Sequence, residues 1–129
     1  MNLLLDTHAF LWWVMDDDRL PPGTRTILAD PDNHLFLSAV TGWEMAIKSR
    51  LGKLKLPQGV ERFVPHQIKV NGMEVLPIQM SHALQVASLP DHHHDPFDRL
   101  LIAQAQVENM PLVTADSEIE KYHVRIVWK

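Results

Sequence analysis

Apolar and polar positions along this chain fall into short blocks whose period changes every few residues, cut by nine prolines and five glycines. Asn2 to Asp6 carries Leu3, Leu4 and Leu5 in succession, a run expected of a strand buried on both faces. Ala9 to Met15 continues as an apolar helix with Trp12 and Trp13 in tandem. Leu20-Pro21-Pro22-Gly23 breaks the chain, and Thr24 to Asp30 reads as a second short helix that stops before Pro31. His34 to Ser38 reads as a second strand. Ser38 stands ahead of a longer helical stretch with Val40, Trp43, Ile47 and Leu51 on one stripe and Gly52 placed to end it.

The second half repeats the alternation. Leu56 to Gly72 reads as helical, with Pro65 implying a kink or two short pieces. A third strand is expected over Glu74 to Ile78, a helix over Ser81 to Ser88, and a loop with three consecutive histidines over Leu89 to Asp95. Pro96 to Glu108 reads as a strong helix, Pro111 to Thr114 as a strand, Ser117 to Tyr122 as a short helix and Val124 to Val127 as a last strand. Strands alternating with helices predict an α/β fold around a mostly parallel sheet of four to five strands. With no linker or repeat in view, one domain is expected over residues 1–129.

Composition narrows the class. The chain is 46% hydrophobic and 22% charged, as a soluble globular domain is, and has no cysteine, which excludes disulfides, a thiolate metal site and a Cys nucleophile. The N-terminal leucines follow no basic segment and are interrupted by Asp6 and His8, unlike a signal peptide. No apolar run reaches membrane-spanning length, so a cytoplasmic protein is expected. The formal net charge of -4 disfavours a sequence-independent grip on nucleic acid by overall positive charge. No glycine-rich phosphate loop is present, which argues against nucleotide-binding kinases and dehydrogenases.

In parallel α/β folds, ligands gather at the carboxyl ends of the strands. Asp6 closes the first strand, Ser38 the second with Glu44 following in its helix, and Thr114-Ala115-Asp116 the fourth, while Asp95 and Asp98 open the helix between. Glu44 lies beside the apolar stripe of its helix, and Asp98 shares a face with Leu101, Ile102 and Ala105. Inward carboxylates repel one another and lose hydration, and a divalent cation relieves both. All-oxygen donors favour Mg²⁺ or Mn²⁺ over zinc. Each acid also has a local reading: Asp6, Asp95 and Asp116 as helix caps, Asp98 as a first-turn acid, and Glu44 as the i,i+4 partner of Lys48.

Taken together, these segments resemble the PIN domain family, and within it the VapC-type toxins. The resemblance rests on Leu3-Leu4-Leu5-Asp6-Thr7-His8, Trp43-Glu44-Met45-Ala46-Ile47-Lys48 running into Leu51-Gly52-Lys53-Leu54, His94-Asp95-Pro96-Phe97-Asp98-Arg99-Leu100-Leu101-Ile102-Ala103-Gln104-Ala105, and Leu112-Val113-Thr114-Ala115-Asp116. It implies a three-layer PIN-like fold and a metal-dependent endoribonuclease, the toxin of a toxin–antitoxin pair. The implied catalytic and metal-holding acids are Asp6, Glu44, Asp98 and Asp116, with Asp95 and Thr114 accessory. The implied cofactor is Mg²⁺ or Mn²⁺, the implied products a 5′-phosphate and a 3′-hydroxyl, and the implied partners RNA, a VapB-type antitoxin and a second copy of the chain.

Several features fall outside those motifs. His92-His93-His94 does not have zinc-ligand spacing and is expected to form a solvent-facing loop beside the site. Lys48, Arg50, Lys53 and Lys55 crowd one helix end, either as ordinary solvated charge or as phosphate contacts. Arg99 could contact phosphate or orient the acids. Trp12 and Trp13 point about 100° apart on a helix, so one is expected in the core and the other at an interface. Two rival functions remain at this point: a phosphoryl-transfer or phosphatase α/β domain, disfavoured by His8 where a second acid would stand, and a non-catalytic module whose acidic pocket holds a partner's arginine.

Overall fold

A computed structural model describes all of residues 1–129. Five strands and six helices alternate as β1 (Asn2–Leu5), α1 (Thr7–Val14), α2 (Pro22–Ala29), β2 (His34–Ser38), α3 (Ala39–Arg50), α4 (Val60–Val70), β3 (Glu74–Leu76), α5 (Met80–Gln85), α6 (Pro96–Glu108), β4 (Leu112–Val113) and β5 (Ile126–Val127). Single 3₁₀ turns follow at Val86–Ser88 and Ile119–Lys121. The expected helices over Ser81 to Ser88 and Ser117 to Tyr122 are therefore shorter, the second reduced to such a turn.

Every strand pairing is parallel, in the order β3-β2-β1-β4-β5. The chain winds outward from β1 through β2 to β3, then returns to lay β4 and β5 on the other flank. The winding therefore reverses between β1 and β4, and a crevice opens outside their carboxyl ends. Asp6 and Asp116 lie just beyond those two ends.

Strand alternation splits the core into two layers. Leu3 and Leu5 face one cluster with Phe10, Leu28, Met45 and Phe63, whereas Leu4 faces the other with Leu101, Ile102, Leu112 and Ile119. Three leucines in a row are possible only because helices cover both faces of the sheet. Polar bonds set the two helices that flank the crevice. Ser38 caps α3, its oxygen accepting the Val40 N–H at 3.0 Å, and donates to Gln104 Oε1 of α6 at 2.5 Å. Gln104 in turn donates to the Pro77 carbonyl beyond β3 at 3.2 Å. Gly52 ends α3 at φ 74°, with Lys53 N–H on the Lys48 carbonyl and Gly52 N–H on that of Ser49, the paired bonds of a left-handed helix stop.

Three sequence expectations change. The buried face of α3 carries Val40, Thr41, Glu44 and Met45, while Trp43 and Leu51 are 56% and 61% exposed. The apolar stripe misidentified the inward side because two inward positions are polar. Trp43 instead lies edge-on against Phe97, ring centres 5.1 Å apart. Pro65 sits within one continuous α4 on its exposed side, so the Glu61 carbonyl it leaves without an N–H faces solvent. Neither Trp12 nor Trp13 is fully buried, and both pack half-exposed against the first core layer. Trp12 stacks on His8 and meets Trp128 at a tilt of 51°, with the Arg19 guanidinium 4.9 Å over its ring.

Candidate active site

Asp6 is where β1 becomes α1. Its backbone is still extended, its Oδ1 accepts the Ala9 N–H at 2.8 Å, and it is 8% exposed. Burial raises its carboxyl, against hydrogen bonds from the buried Thr114 hydroxyl and from Ala9. Thr7, the next residue, donates its hydroxyl to Glu44 Oε1 at 2.5 Å, and the Lys48 ammonium holds Glu44 Oε2 at 2.5 Å. Glu44 is 6% exposed, so both oxygens of a buried carboxylate are matched. That pairing raises the Lys48 ammonium.

The other wall is the start of α6. Asp95 caps it, one oxygen accepting the N–H groups of Phe97 and Asp98 at 2.8 and 3.1 Å, with Pro96 at the position that needs no donor. Asp98 follows in the first turn. Beyond β4, Asp116 Oδ1 accepts the Glu118 N–H at 2.9 Å, and the Asp116 N–H donates to Thr114 Oγ1 at 3.1 Å.

These elements enclose a cleft of about 360 Å³ lined by Asp6, Glu44, Asp95, Asp98 and Asp116 together with Thr7, His8 and Lys48. A larger hollow of about 490 Å³, lined by Gln85, Gln106, Asn109 and Arg125 among others, contains no carboxylate. In the acidic cleft Lys48 is the one lysine or arginine among five carboxylates. The excess falls on Asp98, whose carboxyl is pushed up to about 7 by burial and by Asp95, Glu44 and Asp6, with His93 opposing them. A group so displaced gains by exchanging its proton for a metal ion. Ligand atoms of Asp98, Asp116 and His93 lie within 4.8 Å of one another, and the oxygen donors lining the cleft are of the kind a hard divalent cation takes.

All five acids singled out in the sequence share the cleft. Thr114 supports Asp6 from behind, and Lys48 lies at the rim, tied to Glu44. Arg50 and Lys53 are exposed at the end of α3, outside the cleft. Arg99 is corrected most. Its side chain is 16% exposed and donates to the carbonyls of Val86, Leu89, Pro90 and His93, so it clamps the loop before α6 and is not free for RNA. The histidine run is corrected too. His92 and His94 are exposed, but His93, with a side chain 16% exposed, turns inward and places Nε2 2.9 Å from Asp116 Oδ2 and 3.1 Å from Asp98 Oδ2. Thr7 and His93 are the contributors missed in the sequence. Thr7 was legible as a hydroxyl directly after a strand-end acid, whereas nothing local distinguishes His93 from its two neighbours.

The PIN domain family model matches residues 3–124. Among curated proteins, ribonuclease VapC16 of Mycobacterium tuberculosis is 39% identical over 59 residues, which cover 46% of this chain and 42% of that relative. Among solved structures, VapBC2 from Rickettsia felis bound to a DNA fragment from its promoter superposes with a TM-score of 0.75 at 15% identity, over 100% of both chains. DNA-bound VapBC from Salmonella typhimurium gives 0.71 at 17% identity, over 98% of this chain and 97% of that one. At such identities the superpositions speak for the fold. The family model runs from the leucines of β1 past the last acid of the cleft, and on that ground the chain belongs to the PIN domain family.

Proposed function

We propose that this protein is a divalent-metal-dependent endoribonuclease, the toxin of a VapBC-type pair. The observation that carries the reading is the convergence of Asp6, Glu44, Asp98 and Asp116, with Asp95 beside them, at the point where the sheet's winding reverses. Asp6 and Asp98 are the direct holders of the ion, with Asp116 completing their edge. The ion is Mg²⁺ or Mn²⁺, which supplies charge neutralisation and Lewis acidity at the phosphodiester. Glu44, held at both oxygens, orients the attacking water and takes its proton. Attack on phosphorus breaks the bond to the 3′ oxygen, which leaves as a hydroxyl once protonated, and the other fragment keeps a 5′-phosphate. Exposed Arg50, at the end of the helix that carries Glu44, and Lys53, just beyond its Gly52 stop, are placed to contact phosphates of the RNA.

One domain over residues 1–129 holds all of these parts. The reading brings with it a VapB-type antitoxin, a homodimer and work in the cytoplasm, where RNA is the substrate. No helix is long and apolar enough to cross a membrane. The test is cleavage of defined RNAs by the folded protein with Mg²⁺, with Mn²⁺ and with chelator, alongside Asp6→Asn and Asp98→Asn. Cleavage that needs the metal and is lost in both variants is expected. Folded wild-type protein that binds either ion but cuts no RNA would point instead to an acidic pocket for a partner's arginine.

A further inference from the structure

Every polar group of His93 is engaged. Its N–H donates to Tyr122 Oη at 2.8 Å, and its carbonyl accepts from Arg99 Nη1 at 3.2 Å. Tyr122 Oη is itself fixed by donating to the Pro90 carbonyl at 3.0 Å. On the ring, Nδ1 accepts the Asp95 N–H at 3.2 Å. That bond uses the Nδ1 lone pair, so the ring hydrogen resides on Nε2, which donates to Asp116 Oδ2 at 2.9 Å and lies 3.1 Å from Asp98 Oδ2. The two acids come from different elements, Asp98 from the first turn of α6 and Asp116 from the loop after β4. Neither backbone alone sets their separation, and like charge drives them apart.

We infer that His93 is a positioning residue: its Nε2–H, bonded to Asp116 Oδ2 and set against Asp98 Oδ2, keeps the two oxygens on one edge of the divalent-cation site without itself being a ligand. The inference rests on the metal-site reading above. A nitrogen ligand needs a free lone pair at Nε2, and the bond from Asp95 to Nδ1 places the hydrogen there instead. Asp116 Oδ2 keeps a second lone pair for the ion, so donor and cation act on that oxygen together, while the Nε2–H edge offsets the charge of Asp98 Oδ2 beside it. Outer hydrogen bonds of this kind set the angle at which ligands meet a metal. The loop clamp of Arg99 and Tyr122 then has a purpose beyond folding, since it fixes the backbone from which the ring reaches in.

The test is calorimetric titration of Mn²⁺ and of Mg²⁺ into the full chain at one pH, comparing wild type with His93→Ala, His93→Leu and His93→Gln, each checked for folding by circular dichroism in chelator. His93→Ala and His93→Leu, lacking a donor, are expected to weaken both ions by the same factor, about 10–100-fold, and His93→Gln, whose side-chain N–H reaches the same oxygens, to stay within about threefold of wild type. Selective loss of Mn²⁺ with Mg²⁺ spared overturns the inference in favour of a nitrogen ligand. Tighter binding in the donorless variants overturns it in favour of a competitor for the oxygens. A folded His93→Gln that binds as weakly as His93→Leu also overturns it. Wild-type protein that binds neither ion defeats the metal-site reading itself, which separates the two failures.

Discussion

Replacing Asp98 by Asn is expected to stabilise the protein in chelator and to reverse that order in metal. The Asp98 carboxyl is raised from 3.8 to about 7 by burial and by Asp95, Glu44 and Asp6, against the pull of His93. Between those two values the native protein retains a proton that the unfolded chain has released. The contribution of Asp98 to stability is therefore greatest below about pH 4, falls as pH rises towards 7 and reaches its full deficit above that. At about 1.4 kcal/mol per pH unit the displacement sets a ceiling near 4 kcal/mol. The side chain is 27% exposed, and solvent screening leaves about 1–3 kcal/mol of it. Asn removes the charge while keeping nearly the shape of the side chain beside His93.

Urea unfolding followed by circular dichroism, in chelator from pH 4 to 8, measures the effect. Asp98→Asn should exceed wild type by about 1–3 kcal/mol at pH 8, and the gap should close towards pH 4. Adding Mg²⁺ at a hundredfold over its dissociation constant then stabilises wild type alone by about 2.7 kcal/mol, bringing it level with the variant or above it. A variant no more stable than wild type at pH 8 in chelator, or a gap that does not change with pH, would refute the claim that Asp98 is a strained carboxylate.

Arg99→Ala should cost about 2–4 kcal/mol of stability, because it strips a nearly buried charged donor from four carbonyls; the slope of RNA affinity against salt should not move, and a shallower slope would return Arg99 to the RNA surface. The double substitution of Arg50 and Lys53 by Ala should leave stability within about 0.5 kcal/mol and reduce that slope by up to about two; an unchanged slope would make them ordinary solvated charges. Thr7→Val should lower kcat for RNA cleavage about tenfold with Thr7→Ser near wild type, since only the hydroxyl holds Glu44 Oε1; equal losses in both would show that Thr7 matters for packing alone. Asp6→Asn should keep the α1 cap while ending metal binding, whereas Asp6→Ala should cost about a further 1 kcal/mol in urea; equal stability of the two would remove the cap from the account.

The parts of this fold that were legible are those fixed by local chemistry. Pro96 behind a capping Asp95 marks the start of α6, and the limits of β2 follow from one apolar run bounded by polar residues. What was illegible depends on contacts distant in sequence. The inward face of α3 was misread because Thr41 and Glu44 occupy it: apolar periodicity finds a buried face only where that face is apolar. The site depresses the signal that would have located it. The inward turn of His93 is decided by Tyr122, 29 residues away, and by the Arg99 clamp. Three identical residues in a row carry no pattern that could choose among them.

Cap and site looked like rival readings of the same aspartates, but a carboxylate has two oxygens. Asp6, Asp95 and Asp116 each accept, on one oxygen, a backbone N–H of the turn they begin, and each also lines the cleft. The bond that ends one element and starts the next therefore also fixes the angle of an acid in the site, to within the stiffness of the backbone. The arrangement answers part of the repulsion as well, since α1 and α6 present the positive ends of their dipoles to the acids that cap them. It does not answer all of it. Asp98, whose oxygens cap nothing, is the acid whose carboxyl rises to about 7, and His93 lies against it. Glu44 also lacks a backbone bond but has Thr7 and Lys48 on its two oxygens, so Asp98 is the acid left to a neighbouring histidine and, on the proposed function, to a cation.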